Sequence, residues 1–169
     1  EMNNHVYTFS FNDTATTEKK PMSEKDIKIT MELLRSIKPQ QVYCAGDFAD
    51  PHGTHKVCFD IVAESLRRIK AAGEDWIDEC WVWLYKGAWQ EWNIEEIEMA
   101  VPMSPDQVLR KRNGIFKHQS QKDGVVFQGA DSREFWQRAE ERNAATAALY
   151  NKLGLAEYAA MEAFVRWQY

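Results

Sequence analysis

The densest cluster of chemically capable side chains in this sequence is Asp47, Asp50, His52 and His55, within the run Asp47-Phe48-Ala49-Asp50-Pro51-His52-Gly53-Thr54-His55. Imidazole is the commonest side-chain ligand for zinc, and a nearby carboxylate can ligate the metal or orient the ring. Gly53 lets the backbone bend so that both rings can face one point. The same string also serves as a turn followed by a helix cap, and His-x-x-His alone names no reaction. A closed structural zinc set of Cys44, His52, His55 and Cys58 is conceivable. However, Cys44 falls on the apolar alternation of a strand and Cys58 on the inward stripe of a helix, so both read as small core residues.

Three further places carry side chains of interest. His118, in Lys117-His118-Gln119-Ser120-Gln121, lies near a helix end, where imidazolium also favours the C-terminal dipole. Trp89 and Trp92 follow a strong strand and offer aromatic walls suited to a sugar ring, or simply packing beneath a loop. Glu91, Glu95, Glu96 and Glu98 read as a solvated run, and Glu140-Glu141-Arg142 as an exposed helix face.

The elements that must position these groups follow from periodicity. Val6–Phe11 alternates as a strand. Ser23 caps a helix, with Asp26 as its capping-box partner and Ile27, Met31 and Leu34 as its apolar stripe. Gln41–Ala45 is a β-rich run ending at Gly46. Thr54 is the expected N-cap of an amphipathic helix over His55–Ala72, with Val57, Cys58, Ile61, Val62, Leu66 and Ile69 inward and Gly73 as its stop. Cys80–Tyr85 is a strand of bulky residues, and Ile94–Met103 is partly extended. Ser104-Pro105 opens another helix. Gly124–Phe127 is a short apolar segment. A long helix starts at Asp131 or Ser132, runs through Phe135, Trp136, Ala139, Ala145 and Leu149 and stops at Gly154, and Leu155–Trp167 reads as a last, Ala-rich helix.

Strands alternating with helices predict an α/β fold with a mostly parallel sheet. In such a sheet ligands bind at the carboxyl ends of strands, beside helix N-termini, which is where the Asp47–His55 loop falls. Only three or four strands are visible, so the sheet reads as incomplete. The expectation is one domain over residues 1–169 that belongs to a longer protein.

Composition narrows the function classes. The 169 residues are 44% hydrophobic and 28% charged, which suits a globular domain. A net charge of -5 leaves no broad basic field for a nucleic acid or an acidic bilayer. No apolar run approaches the length of a spanning helix, and no phosphate loop, dinucleotide fingerprint or nucleophile elbow is present. Three cysteines at unrelated spacings fit a reducing cytoplasm better than a disulfide framework.

Two separated stretches resemble the LmbE/PIG-L family of metal-dependent N-deacetylases. Pro39-Gln40-Gln41-Val42-Tyr43 running into Asp50-Pro51-His52-Gly53-Thr54-His55 is similar to that family's strand followed by His-x-x-His. Lys111-Arg112-Asn113-Gly114-Ile115-Phe116-Lys117-His118-Gln119-Ser120-Gln121 is similar to its downstream helix ending in His-x-Ser-Gln. With Tyr85-Lys86-Gly87-Ala88-Trp89 and Asn151-Lys152-Leu153-Gly154-Leu155, the chain looks most like a bacterial subgroup. There the deacetylase-like domain follows a glucosamine-6-phosphate deaminase-like domain, and the deaminase or isomerase name is often carried throughout.

The resemblance implies a Rossmann-like three-layer αβα fold and zinc-dependent hydrolysis of an N-acetyl group on an amino sugar. By the match, His55 is a zinc ligand and His52 stabilises the charged tetrahedral intermediate. Asp47, Asp50, Trp89 and His118 are weaker candidates for supporting these groups or contacting substrate. Thr54 stands where the family carries an Asp. The family's first motif, His-Pro-Asp-Asp, which supplies two further zinc ligands and the general base, is not found in this sequence. The expectation is therefore that the N-terminal strands and that motif belong to a missing portion of the parent. Zinc would bind the intact parent. This chain alone would be inactive, hold no zinc stably and be prone to self-associate as a homo-oligomer. The competing reading is a non-catalytic sugar-binding or interaction domain serving an attached deaminase domain. A third, that the chain is part of the deaminase catalytic unit itself, lacks the phosphate cradle such chemistry needs.

Overall fold

The computed structural model describes residues 21–49, 53–88, 90–119, 132–154 and 156–169. The expected segments Val6–Phe11 and Gly124–Phe127 lie outside them. In chain order the elements are α1 (Glu24–Ile37), β1 (Gln41–Ala45), α2 (Thr54–Ala71), a short 3-10 helix (Asp75–Glu79), β2 (Trp81–Tyr85), β3 (Met99–Met103), α3 (Pro105–Ile115), α4 (Phe135–Lys152) and β4 (Ala160–Trp167). The strands form a four-stranded mixed sheet in the order β1-β2-β4-β3. β3 and β4 are antiparallel, with Met99 opposite Phe164 and Met103 opposite Ala160. No helix among the described residues is long and apolar enough to cross a membrane.

The chain forms two compact units, residues 1–84 with Arg166–Tyr169, and Tyr85–Val165. In the first, α1 begins with the expected capping box: the Ser23 hydroxyl accepts from the Asp26 N–H, and the Asp26 carboxylate accepts from the Ser23 N–H at 2.9 Å. Ile27, Thr30 and Leu34 are its buried stripe, so Thr30 takes the place expected of Met31. α1 packs on α2, where Ser65 reaches back to the Ile61 carbonyl at 2.7 Å. The buried residues of α2 are Phe59, Ile61, Ala63, Ser65, Leu66 and Ile69. Cys58 is exposed rather than inward. Ile61, Leu66 and Ile69 are inward as expected, and Phe59 takes the place expected of Cys58, packing beside Phe48 and Trp167 with ring centroids 4.8 and 5.2 Å away. Gly53, not Thr54, is the N-cap, with φ 66°, a conformation that favours glycine. Tyr169 closes this unit by donating its hydroxyl to the Ile77 and Cys80 carbonyls at 2.5 and 2.8 Å.

The second unit departs further from expectation. Residues 160–167 are a strand, not the end of a helix. Alanine favours helix in isolation, but here the Ala160–Phe164 segment pairs along its length with β3. β4 lies inside the sheet, and small residues at Ala160 and Ala163, both buried, let neighbours approach from either side. Pro102 falls on β3, an edge of the four strands, where a residue without an N–H can be placed.

α3 opens with the expected Ser104 capping box and proline at its first turn. α4 begins at Phe135 with Glu134 as its N-cap, later than expected. Its buried side is not apolar: Arg138, Ala139, Arg142, Asn143, Thr146 and Ala147 face inward, while Phe135, Ala145 and Leu149 are exposed. Polar inward side chains are tolerated because partners meet them, for most in the network described below.

Candidate functional site

β1 delivers the first candidate. Its last residue, Ala45, is followed by Gly46 and Asp47, and Asp47 is only 6% exposed. A tight turn follows, in which the Phe48 N–H donates to the Gly46 carbonyl at 3.0 Å, and the Phe48 ring then packs on Phe59 of α2. That aromatic contact ties the loop to the helix that follows it. Gly53 in the left-handed conformation turns the chain into α2. His55 stands exposed in the first helical turn. The first turn of α2 contains no acidic residue, so its positive dipole end remains able to attract an anionic group. Asp50 and His52 lie outside the described residues.

The cysteines divide cleanly. Cys44 is buried, and desolvation, with smaller contributions from Cys58 and Cys80, pushes its thiol up to about 11. Burial raises the Cys80 thiol too, against the hydrogen bond from Tyr169. Burial therefore favours the protonated thiol at both positions. None of the three is in a disulfide. Among the described residues no group of three His, Cys, Asp or Glu side chains converges as a metal set would.

In the second unit, His118 lies just past the end of α3 and is exposed. Its N–H donates to the Ile115 carbonyl at 3.0 Å, continuing the last helical turn. Trp89 is outside the described residues. Trp92 is half-buried, with the Lys86 ammonium 4.0 Å from its ring centroid and its own indole N–H buried without an acceptor.

Sequence reasoning missed the most elaborate polar construction of this unit. The Arg142 side chain, 7% exposed, donates to Glu91 at 2.7 Å and also to Glu162. Lys111 of α3 pairs with the same Glu162 and donates to Asn143 at 2.6 Å. Thr146 adds a hydroxyl bond to Glu91 at 2.9 Å, and Asn143 donates to the Met161 carbonyl at 2.9 Å. Burial pushes the Glu162 carboxyl up, but the adjacent Arg142 and Lys111 charges and their hydrogen bonds outweigh it and hold it below the usual range. A second pair lies beside this network. Arg112 grips Glu140 through two parallel bonds and stacks 4.5 Å from the Trp136 ring centroid.

Thus Glu91 is not part of a solvated run and Arg142 is not on an exposed face. The signal available in the sequence was Glu162 itself, a carboxylate inside the apolar run Ala160-Met161-Glu162-Ala163-Phe164-Val165, which demands a buried cationic partner. Chemically the network is closed: two cations meet two anions, and its role is to fix α3, α4, β4 and the segment around Glu91 to one another.

Comparison with solved structures addresses the architecture. A crystal structure of a conserved protein from Thermus thermophilus matches 86% of this chain and 59% of its own with a TM-score of 0.56, at 18% sequence identity. The fold is α/β, of the Rossmann-like αβα kind. At that identity the likeness carries the fold alone. No family model matches the chain. Over 163 residues it is 53% identical to a protein of Bacteroides thetaiotaomicron named as glucosamine-6-phosphate deaminase-like. The match takes in 96% of this chain and 25% of that relative, so the chain spans about a quarter of the relative's length.

Proposed function

We propose that this chain is part of an LmbE/PIG-L-type N-deacetylase domain, within a longer protein that hydrolyses an N-acetyl group on an amino-sugar derivative. The observation that carries the reading is the placement of His55 in the first turn of α2, after a strand, β1, that is followed two residues on by the buried Asp47. In a Rossmann-like sheet this is where a ligand site forms. The family motifs Asp50-Pro51-His52-Gly53-Thr54-His55 and His118-Gln119-Ser120-Gln121 supply the remaining support.

The residues in hand fit a share of a zinc site, not a whole one. A catalytic zinc takes about three protein ligands, and His55 is the one that the resemblance assigns to this chain. His55 would be one ligand, and the others would come from the His-Pro-Asp-Asp motif in the remainder of the protein. When bound, zinc supplies a water acidic enough to be deprotonated near neutral pH. This chain's contribution is to present His55 on a rigid helix start. His52 would donate to the oxyanion of the tetrahedral intermediate, and Asp47 and Asp50 would orient the imidazoles.

Zinc titration by calorimetry, on this chain and on the full-length gene product, tests the reading. Stoichiometric zinc in the full-length protein only, lost on His55→Ala, is the expected result. Tight zinc in this chain alone would overturn the shared-site reading and revive the set of Cys44, His52, His55 and Cys58.

A second reading draws on the name of the Bacteroides relative: a non-catalytic, sugar-binding domain serving an attached glucosamine-6-phosphate deaminase domain. It predicts sugar binding through Trp89 or Trp92, no metal-dependent turnover, and no zinc in either protein. Both readings place the protein in the cytoplasm with an amino sugar as its small-molecule partner, and neither calls for nucleic acid or a membrane. Self-association of this chain is expected if the remainder of the protein is withheld from it.

A further inference from the structure

The first unit has a sheet face on which two aromatic side chains stand about half exposed. Strand alternation separates Cys44, Val82 and Leu84, all buried, from Gln41, Tyr43 and Trp81, all exposed. Tyr43 is 49% and Trp81 43% exposed, high values for side chains of this size on adjacent strands of a sheet. The Arg166 guanidinium lies 3.9 Å from the Trp81 ring centroid and adds a flat cation to the aromatic surface. Trp83, two residues along from Trp81 with ring centroids 5.8 Å apart, is buried, yet its indole N–H has no acceptor. A buried donor left unpaired costs about 1–3 kcal/mol. Half-exposed aromatics beside a stacked arginine are the residue types that the core of an interface is enriched in.

We infer that the face formed by Gln41, Tyr43, Trp81 and Arg166 is an intramolecular docking surface, covered by the remainder of the longer polypeptide to which this chain belongs. The inference rests on the reading above that such a remainder exists. What points to this occupant is length: the Bacteroides relative carries about three-quarters of its chain outside the matched region, the complement of the 25% that this chain spans. A fully buried Trp or Tyr hides about 150–250 Å², and docking would remove from water the share still exposed, 43% of Trp81 and 49% of Tyr43. The docked segment is expected to present flat apolar groups to Trp81 and Tyr43.

Hydroxyl-radical footprinting read by mass spectrometry, on the 169-residue chain and on the full-length gene product, tests this without metal or substrate. Expected is strong labelling of Trp81 and Tyr43 in the chain alone, falling by about tenfold in the full-length protein, as for side chains at an interface core. Trp83 is the internal control, slow in both if the sheet is intact. Equal labelling of Trp81 in the two proteins overturns the surface while leaving the longer-protein reading standing. A gene that encodes nothing beyond these residues overturns both. Protection that grows with concentration in the chain alone makes the occupant a second copy and overturns the assignment. Protection in a full-length protein that binds no zinc supports the surface even as the deacetylase reading fails.

Discussion

Arg142 shows how far a single residue's role depends on its surroundings. Its guanidinium meets Glu91 and Glu162 at once, while its Nε is buried without a partner. Arg142→Met would leave the mostly buried Glu91 without the Arg142 cation and Glu162 with Lys111 alone. The expected cost is about 3–5 kcal/mol, read by urea denaturation of the whole chain. Glu162 makes the complementary case. Its folded-state pKa is lowered, so its contribution to stability is present above the unfolded value of about 4.3 and is lost as pH falls through the folded value. Stability measured from pH 7 downward should fall along an acid limb that Glu162→Gln makes shallower. An unchanged limb would mean that the network's charges do not set the acid stability.

At the scale of elements, local and long-range signals give different results. The Ser23 capping box forms as its spacing requires, because every bond in it spans three residues. Ser23→Ala should cost about 1 kcal/mol by thermal unfolding, with α1 fraying at its first turn. Gly53 argues the same way: at φ 66°, Gly53→Ala should destabilise the chain by about 1 kcal/mol and shift the start of α2, visible as faster amide exchange at Thr54–Val57. β4 is the opposite case. Its strand state exists because β3 lies beside it, so no local rule could have selected it.

For the whole molecule, electrostatics and architecture set the expectations. Net charge is -5, and ten described ion pairs, from Arg35–Glu74 to Arg142–Glu162, occupy many of the basic side chains. Fluorescence polarisation with duplex DNA at about 0.15 M salt should show no binding. Saturable binding under those conditions would require a basic surface that the charge distribution does not foresee. On the reading proposed here, the α/β architecture with a ligand-binding strand end, together with a Bacteroides relative of about four-fold greater length, makes the chain's chemistry a property of a larger protein.

By itself the sequence determined the α/β class, the two capped helix starts at Ser23 and Ser104-Pro105, strands β1 and β2, and the burial of Cys44. It also placed Asp47 and His55 at a strand end and a helix start, which makes them candidates. All of these depend on neighbours within a few residues, where capping, turn geometry and period-two alternation act. Only the tertiary structure decided that residues 160–167 pair as a strand, that the inward side of α4 is polar, that Cys58 is exposed, and that Glu91, Lys111, Arg142 and Glu162 form one network. Those residues are separated by between 20 and 71 positions in the chain. A charge is read as exposed until its counter-charge is brought to it, and helix propensity gives way where a neighbouring strand takes up the backbone hydrogen bonds.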